Sequence, residues 1–191
     1  MFSLIVEGLE VKYHDFLGDV FGYLELYNKY RGQFFTPYHL GVMKAQMILS
    51  KTDIEKHRSE KGYFTISDPC SGAGCLLIAA ADVIRQMGFN HSEVVLFRAQ
   101  DIDQLAFYMS YIQLSLTGMA GYCILGDSLI PDQESQIYWF TPVYFISRVW
   151  QSRRIIRAMQ ELTKPLKKSQ EDQKTLQPDI NLIKDQYVIG F

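Results

Sequence analysis

Three acidic stretches carry the residue types that can do chemistry in this 191-residue chain: Asp68-Pro-Cys-Ser-Gly-Ala-Gly74, Gln100-Asp-Ile-Asp103 and Gly126-Asp-Ser128. The glycines of the first let the backbone turn tightly and come close to a ligand, and a following helix directs its free N–H groups to the same place. A dinucleotide loop usually carries a third glycine for the pyrophosphate, but here Cys75 and Leu76 follow and an acid, Asp68, opens the loop. An acid at that position suits a ligand with a positively charged group. A carboxylate at Asp101, ending the next apolar run, can accept hydrogen bonds from both hydroxyls of a ribose. Each acid also has a plainer reading: Asp101 or Asp103 as a helix N-cap, and Asp127 as a turn residue. Three successive strands that end in acids would ring one cleft.

These loops need elements to hold them. Apolar residues from Leu9 to Tyr30 recur at helical spacing and predict one amphipathic helix. After Gly32-Gln-Phe-Phe-Thr-Pro37, a second helix is expected over Tyr38–Ser50, with Thr36 as N-cap and Pro37 in its first turn. Thr52 to Lys61 is polar and reads as a solvated connection, and Gly62 to Ser67 as a strand. Strand and helix then alternate: a helix from Cys75 closed by Gly88, a strand over Glu93–Gln100, a helix over Gln104–Thr117, and a short strand at Tyr122–Leu125. Ile137 to Phe140 is a candidate fourth strand, Phe145 to Leu162 a helix, and Tyr187 to Phe191 a strand or a frayed end. The alternation predicts an α/β fold, a doubly wound, mostly parallel sheet with helices on both faces and ligands outside the carboxyl ends of the strands. The expected domain runs from residue 1 to 165, with a helical lead-in over 1–61 and a polar tail over 166–191.

In order and rough spacing, the GQFFTP, DPCSGAG, QDID and GDSL stretches resemble the S-adenosylmethionine-binding motifs of adenine-N6 DNA methyltransferases. The likeness is closest to the modification subunits of type I restriction systems, and it extends back to Asp15-Phe-Leu-Gly-Asp19. The resemblance implies a Rossmann-like methyltransferase fold, abbreviated at the C-terminus, with S-adenosylmethionine as cofactor. It places Thr36 and Pro37 against the methionine end, with Phe34 and Phe35 shielding the site. Asp68, Pro69 and the backbone from Cys70 through Ser71 and Gly72 to Gly74 would hold the amino and carboxylate groups. Asp101 would take the ribose hydroxyls and Ile102 would pack on adenine. Asp127 would bind the adenine amino group, with Ser128 beside it and Leu129 as an apolar wall.

The family follows its GDSL strand with a [DNS]-P-P-[YF] tetrapeptide that accepts hydrogen bonds from the target amino group and stacks on the flipped base. In that place this chain has Thr141-Pro142-Val143-Tyr144, with a hydroxyl where the family has an amide or acid. Thr141, Pro142 and Tyr144 are thus the expected catalytic residues of an altered motif. An adenine amino group is a poor nucleophile that needs strong acceptors, so two readings stand. One is an adenine-specific DNA methyltransferase acting on a flipped base. The other is a catalytically silent homologue serving as a cofactor-binding or DNA-binding accessory protein.

Composition narrows the alternatives further. With 48% hydrophobic, 14% aromatic and 21% charged residues, the chain is neither disordered nor of low complexity. No apolar run approaches a membrane span, and a cytoplasmic location is expected. Cys70, Cys75 and Cys123 show no CxxC spacing, so neither a disulfide framework nor a metal is expected. A net charge of -2 excludes a global positive field. DNA contact would have to be local, through a basic helix carrying Arg153, Arg154 and Arg157, with a specificity subunit to read sequence.

Overall fold

The computed structural model describes residues 2–26, 36–130, 136–162 and 186–188. Its first helices are α1 (Phe2–Val11) and α2 (Phe16–Tyr23). They replace the single expected helix because Asp15 begins a new one, its carboxylate accepting a hydrogen bond from Gly18 N at 2.9 Å. The third helix, α3 (Tyr38–Ile48), has Pro37 at its N-cap and no side-chain cap from Thr36. The stretch read as a solvated connection is a helix, α4 (Lys51–Lys61), capped by the Ser50 side chain and closed by Gly62 at φ 80°. Only Ile54 of α4 is buried, so hydrophobic periodicity left no trace and the caps define the element.

The alternating unit follows as β1 (Phe64–Asp68), α5 (Cys75–Gln86), a short α6 (His91–Val94), β2 (Val95–Asp101), α7 (Gln104–Leu116) and β3 (Gly121–Leu125). Then come β4 (Ile137–Phe140), α8 (Pro142–Ile146), α9 (Arg148–Leu162) and β5 (Gln186–Val188). The five strands lie in the order β4-β3-β2-β1-β5. β1, β2, β3 and β5 are mutually parallel, whereas β4 runs antiparallel on the edge beside β3. Residues 186–188, within the expected polar tail, are therefore a sheet strand.

Period-two burial sorts the strand residues onto two faces. Phe64, Ile66, Val95, Phe97, Ala99 and Cys123 join one core with residues of α3, α4, α5 and α7. Gly41 lets α3 sit close on α5, since a Cβ there would stand 3.2 Å from that of Ala79. Leu96, Tyr122 and Ile124 face the other way, into a second core with Tyr144 and Trp150 of α8 and α9. Trp150 donates through Nε1 to Ser92 O, just before β2, so this second layer sits toward the amino ends of the parallel strands.

Candidate functional site

The acids that the sequence singles out meet at one edge. Asp68 ends β1 and Asp101 ends β2, while Asp127 follows β3 by two residues, all at the carboxyl ends of parallel strands. The glycine loop is sewn to the neighbouring strand: Ser71 N donates to Gln100 O at 2.9 Å and Gly72 N to Asp101 Oδ2 at 2.8 Å. Across the next strand end, Gly126 N donates to Asp101 O at 3.0 Å and Gln100 Nε2 to Gly126 O at 3.3 Å. Gly72 (φ 54°) and Gly74 (φ 99°) adopt left-handed backbone, and a Cβ on Gly74 would lie 2.9 Å from Leu114 Cδ1. Both glycines are thus required by the turn.

Electrostatics make this edge unusual for a row of carboxylates. Burial pushes Asp68 up to about 6, opposed by the hydrogen bond from Cys70 N and by Lys44, and reinforced by Asp101. Burial also raises Asp101, against the N–H groups of Asp103 and Gly72. Ser71 is buried, and its Oγ has no hydrogen-bond partner among the described residues. At the mouth, Ile102 is 70% exposed and Leu129 87% exposed. Buried acceptors, an unused hydroxyl and two bare apolar side chains can together hold a ligand with cationic, hydroxyl and flat apolar parts.

Other expected site residues distribute unevenly. Thr36 O accepts from Cys75 Sγ at 3.1 Å, which sets Thr36 and Pro37 against the start of α5. Pro69 and Cys70 lie in the loop, and Cys70 Sγ stands 4.0 Å from Ser128 Oγ. Asp127 Oδ1 accepts from Leu129 N at 2.9 Å, an Asx turn. Phe34 and Phe35 lie outside the described residues.

The expected catalytic segment is not at this edge. Because β4 is antiparallel, Phe140 pairs with Tyr122 near the start of β3, and Thr141 follows at the amino end of the parallel strands. The length of β3 separates it from the acids, roughly 15 Å at about 3.3 Å per residue. Thr141 is fully buried, its Oγ1 donating to Met119 O at 2.7 Å and accepting from Gly121 N at 3.0 Å. Tyr144 is buried in the second core. Spacing along the chain cannot reveal this, since it does not show that β4 reverses direction. What does share the acid edge is the carboxyl end of β5, whose Val188 pairs with Ser67. Strand order reverses between β1 and β5, the switch point where open α/β sheets bind ligands.

Arg153 and Arg154 likewise do not form a solvated basic stripe. Arg153 donates to Glu93 O and Gly62 O, and Arg154 to Tyr144 O, each with its guanidinium over aromatic rings.

One positioning group escaped the sequence reading. Gln113, fully buried in α7, donates at 2.8 Å to Ala73 O in the glycine loop and at 2.7 Å to Asp15 Oδ1. Its Oε1 accepts from Leu17 N at 2.9 Å. One amide thereby clamps the loop to the N-terminal helices. A lone glutamine in an apolar helix gives no sequence signal of this, although Asp15 and Gly18 mark its partner's cap.

A glycine loop between the first strand and its helix, with acids at the next strand ends, defines a Rossmann-like α/β domain of the methyltransferase kind. The sequence profile of N-6 DNA methylases matches residues 12–171. The chain belongs to that family. Among solved structures it is similar to a type I restriction-modification system methyltransferase subunit from Streptococcus thermophilus, at 24% identity with a TM-score of 0.40. That match covers 63% of this chain and 25% of the other, so the chain spans about a quarter of that subunit's length. No curated protein matches the chain. Among the described residues no helix is long and apolar enough to cross a membrane, and no three His, Cys, Asp or Glu side chains gather as a metal site.

Proposed function

We propose that the chain binds S-adenosylmethionine at the edge formed by Asp68, Asp101 and Asp127 and serves methyl transfer to the exocyclic amino group of adenine in DNA. The observation that carries this reading is the glycine loop fastened to Asp101, with the buried Ser71 hydroxyl beside it lacking a partner among the described residues. In this reading Asp68 accepts from the ammonium group, and Ser71 with the backbone from Cys70 to Gly74 holds the carboxylate at the start of α5. Thr36 and Pro37 border the methionine end. Asp101 keeps lone pairs for the ribose hydroxyls, and Ile102 and Leu129 flank the adenine, whose amino group Asp127 and Ser128 receive. When bound, the cofactor supplies an electrophilic methyl group.

The acceptor for the target amine then belongs to the wall beside β5, because Thr141, Pro142 and Tyr144 are committed to the opposite end. DNA is the substrate in this reading, and a specificity subunit would read its sequence. The silent-homologue reading is favoured by one observation: the hydroxyl expected to assist transfer is spent on Met119 and Gly121. Photo-crosslinking with methyl-tritiated S-adenosylmethionine, with and without adenine-containing DNA, separates these outcomes. The enzyme reading expects labelled protein and labelled DNA, and a silent cofactor-binding homologue labelled protein alone; an unlabelled protein would contradict both and leave only the DNA-binding form of the silent reading.

A further inference from the structure

A cavity of about 690 Å³ lies away from the acid edge, in the α8–α9 layer. Its wall joins Phe140, Tyr144, Phe145 and Trp150 to Arg153 and Arg154. The aromatic rings form one connected set: Phe140 and Tyr144 stack at 5.1 Å, and Phe145 meets both edge-on at 5.6 Å. Phe145 keeps 50% of its surface exposed, so part of its ring is available to a ligand. The guanidinium of Arg154 stands 4.9 Å from the Tyr144 centroid and 5.0 Å from that of Phe145, and Arg153 stands 4.6 Å from Trp150.

Charge is what makes this more than an aromatic cluster. Both guanidiniums are half-buried, and their hydrogen bonds go to carbonyl oxygens, which carry no formal charge. Each uses two of its nitrogens in this way and keeps further N–H groups of the fork. Among the described lining residues Arg153 and Arg154 face the cavity with Glu60 as the carboxylate of the wall, and Glu93 lies near enough to act on Arg153. A planar ring satisfies the aromatic wall, and an anion attached to it satisfies the guanidiniums. The volume falls within the range of small-molecule sites.

We infer that this cavity binds a nucleotide, with its base against Phe145 and its phosphate on Arg154 and Arg153. The chemistry is the same for a free mononucleotide and for a terminal nucleotide of an unpaired strand, since both combine a base with a phosphate. The site is separate from the proposed cofactor edge and does not rest on it.

The intact protein is titrated with thymidine monophosphate, thymidine, inorganic phosphate and a short 5′-phosphorylated oligothymidylate, reading heat and Trp fluorescence. The expected result is saturable binding of the monophosphate, with thymidine and phosphate alone each weaker by about tenfold or more. Tighter binding of the oligonucleotide than of the monophosphate identifies a strand end as the source; equal binding identifies the free nucleotide. Phe145→Ala, which alters an exposed ring, and Arg154→Lys, which keeps the charge but loses the fork, should each weaken the monophosphate by about tenfold. Asp101→Ala should leave it unchanged. No saturation by any probe, binding unaltered in Phe145→Ala, or binding lost in Asp101→Ala would overturn the inference.

Discussion

The carboxyl and amino ends of the same sheet are finished in opposite materials. At the carboxyl end, carboxylates, glycines and backbone N–H groups meet in short loops tied by hydrogen bonds to the neighbouring strand, as from Gly72 to Asp101 and from Ser71 to Gln100. At the amino end, rings and guanidiniums pack through α8 and α9, with Trp150, Tyr144 and Arg153 bridging to the starts of the strands. Polar ties of this kind fix positions and leave acceptors free, whereas aromatic packing buries apolar area and holds the layer in place. In the proposed function, recognition of a charged, hydroxylated ligand falls to the first end, while at the other Thr141 is held by Met119 and Gly121.

Substitutions sharpen that contrast, beginning with the strongest. Gln113→Leu removes the amide that joins Ala73, Asp15 and Leu17, leaving buried groups unpaired, and should cost about 2–4 kcal/mol in urea unfolding. A melting curve unchanged from the parent would show that the clamp is dispensable. Thr141→Val strips the hydroxyl from Met119 O and Gly121 N and should cost about 1–2 kcal/mol, with no change in S-adenosylmethionine affinity. Weakened cofactor binding in that variant would return Thr141 to the site.

Asp68 supplies a test by pH. Its folded value of about 6 lies above the ordinary 3.8, so the folded state holds the proton more tightly. The stability this group contributes is complete at the acid side and is lost as pH rises from about 4 to 6. Asp68→Asn should therefore raise Tm modestly at pH 8 while weakening cofactor binding by about tenfold or more. Parent affinity should itself decline as pH falls through about 6. The smallest effect expected is for Ile102→Ala, an exposed side chain whose loss should weaken cofactor binding a few-fold and leave stability unchanged.

Residues that punctuate the chain were legible in sequence. Gly74, Gly88 and Gly118 all take the left-handed backbone that a loop or helix end requires, and Asp68, Asp101 and Asp127 fall at the expected strand ends. What depended on contacts far apart in the chain was not legible. Nothing local tells that β4 runs antiparallel, that residues 186–188 join the sheet beside β1, or that Gln113 reaches Asp15 across 98 positions. Arginines on a helix read as solvated because sequence does not show the rings and carbonyls they meet.

The most direct test is calorimetric titration of the intact protein with S-adenosylmethionine, run in parallel on Asp101→Ala and Thr141→Val. Saturable binding that is lost in the first variant and kept in the second is the predicted result. No binding by the parent protein, or binding that survives Asp101→Ala and fails in Thr141→Val, would contradict it.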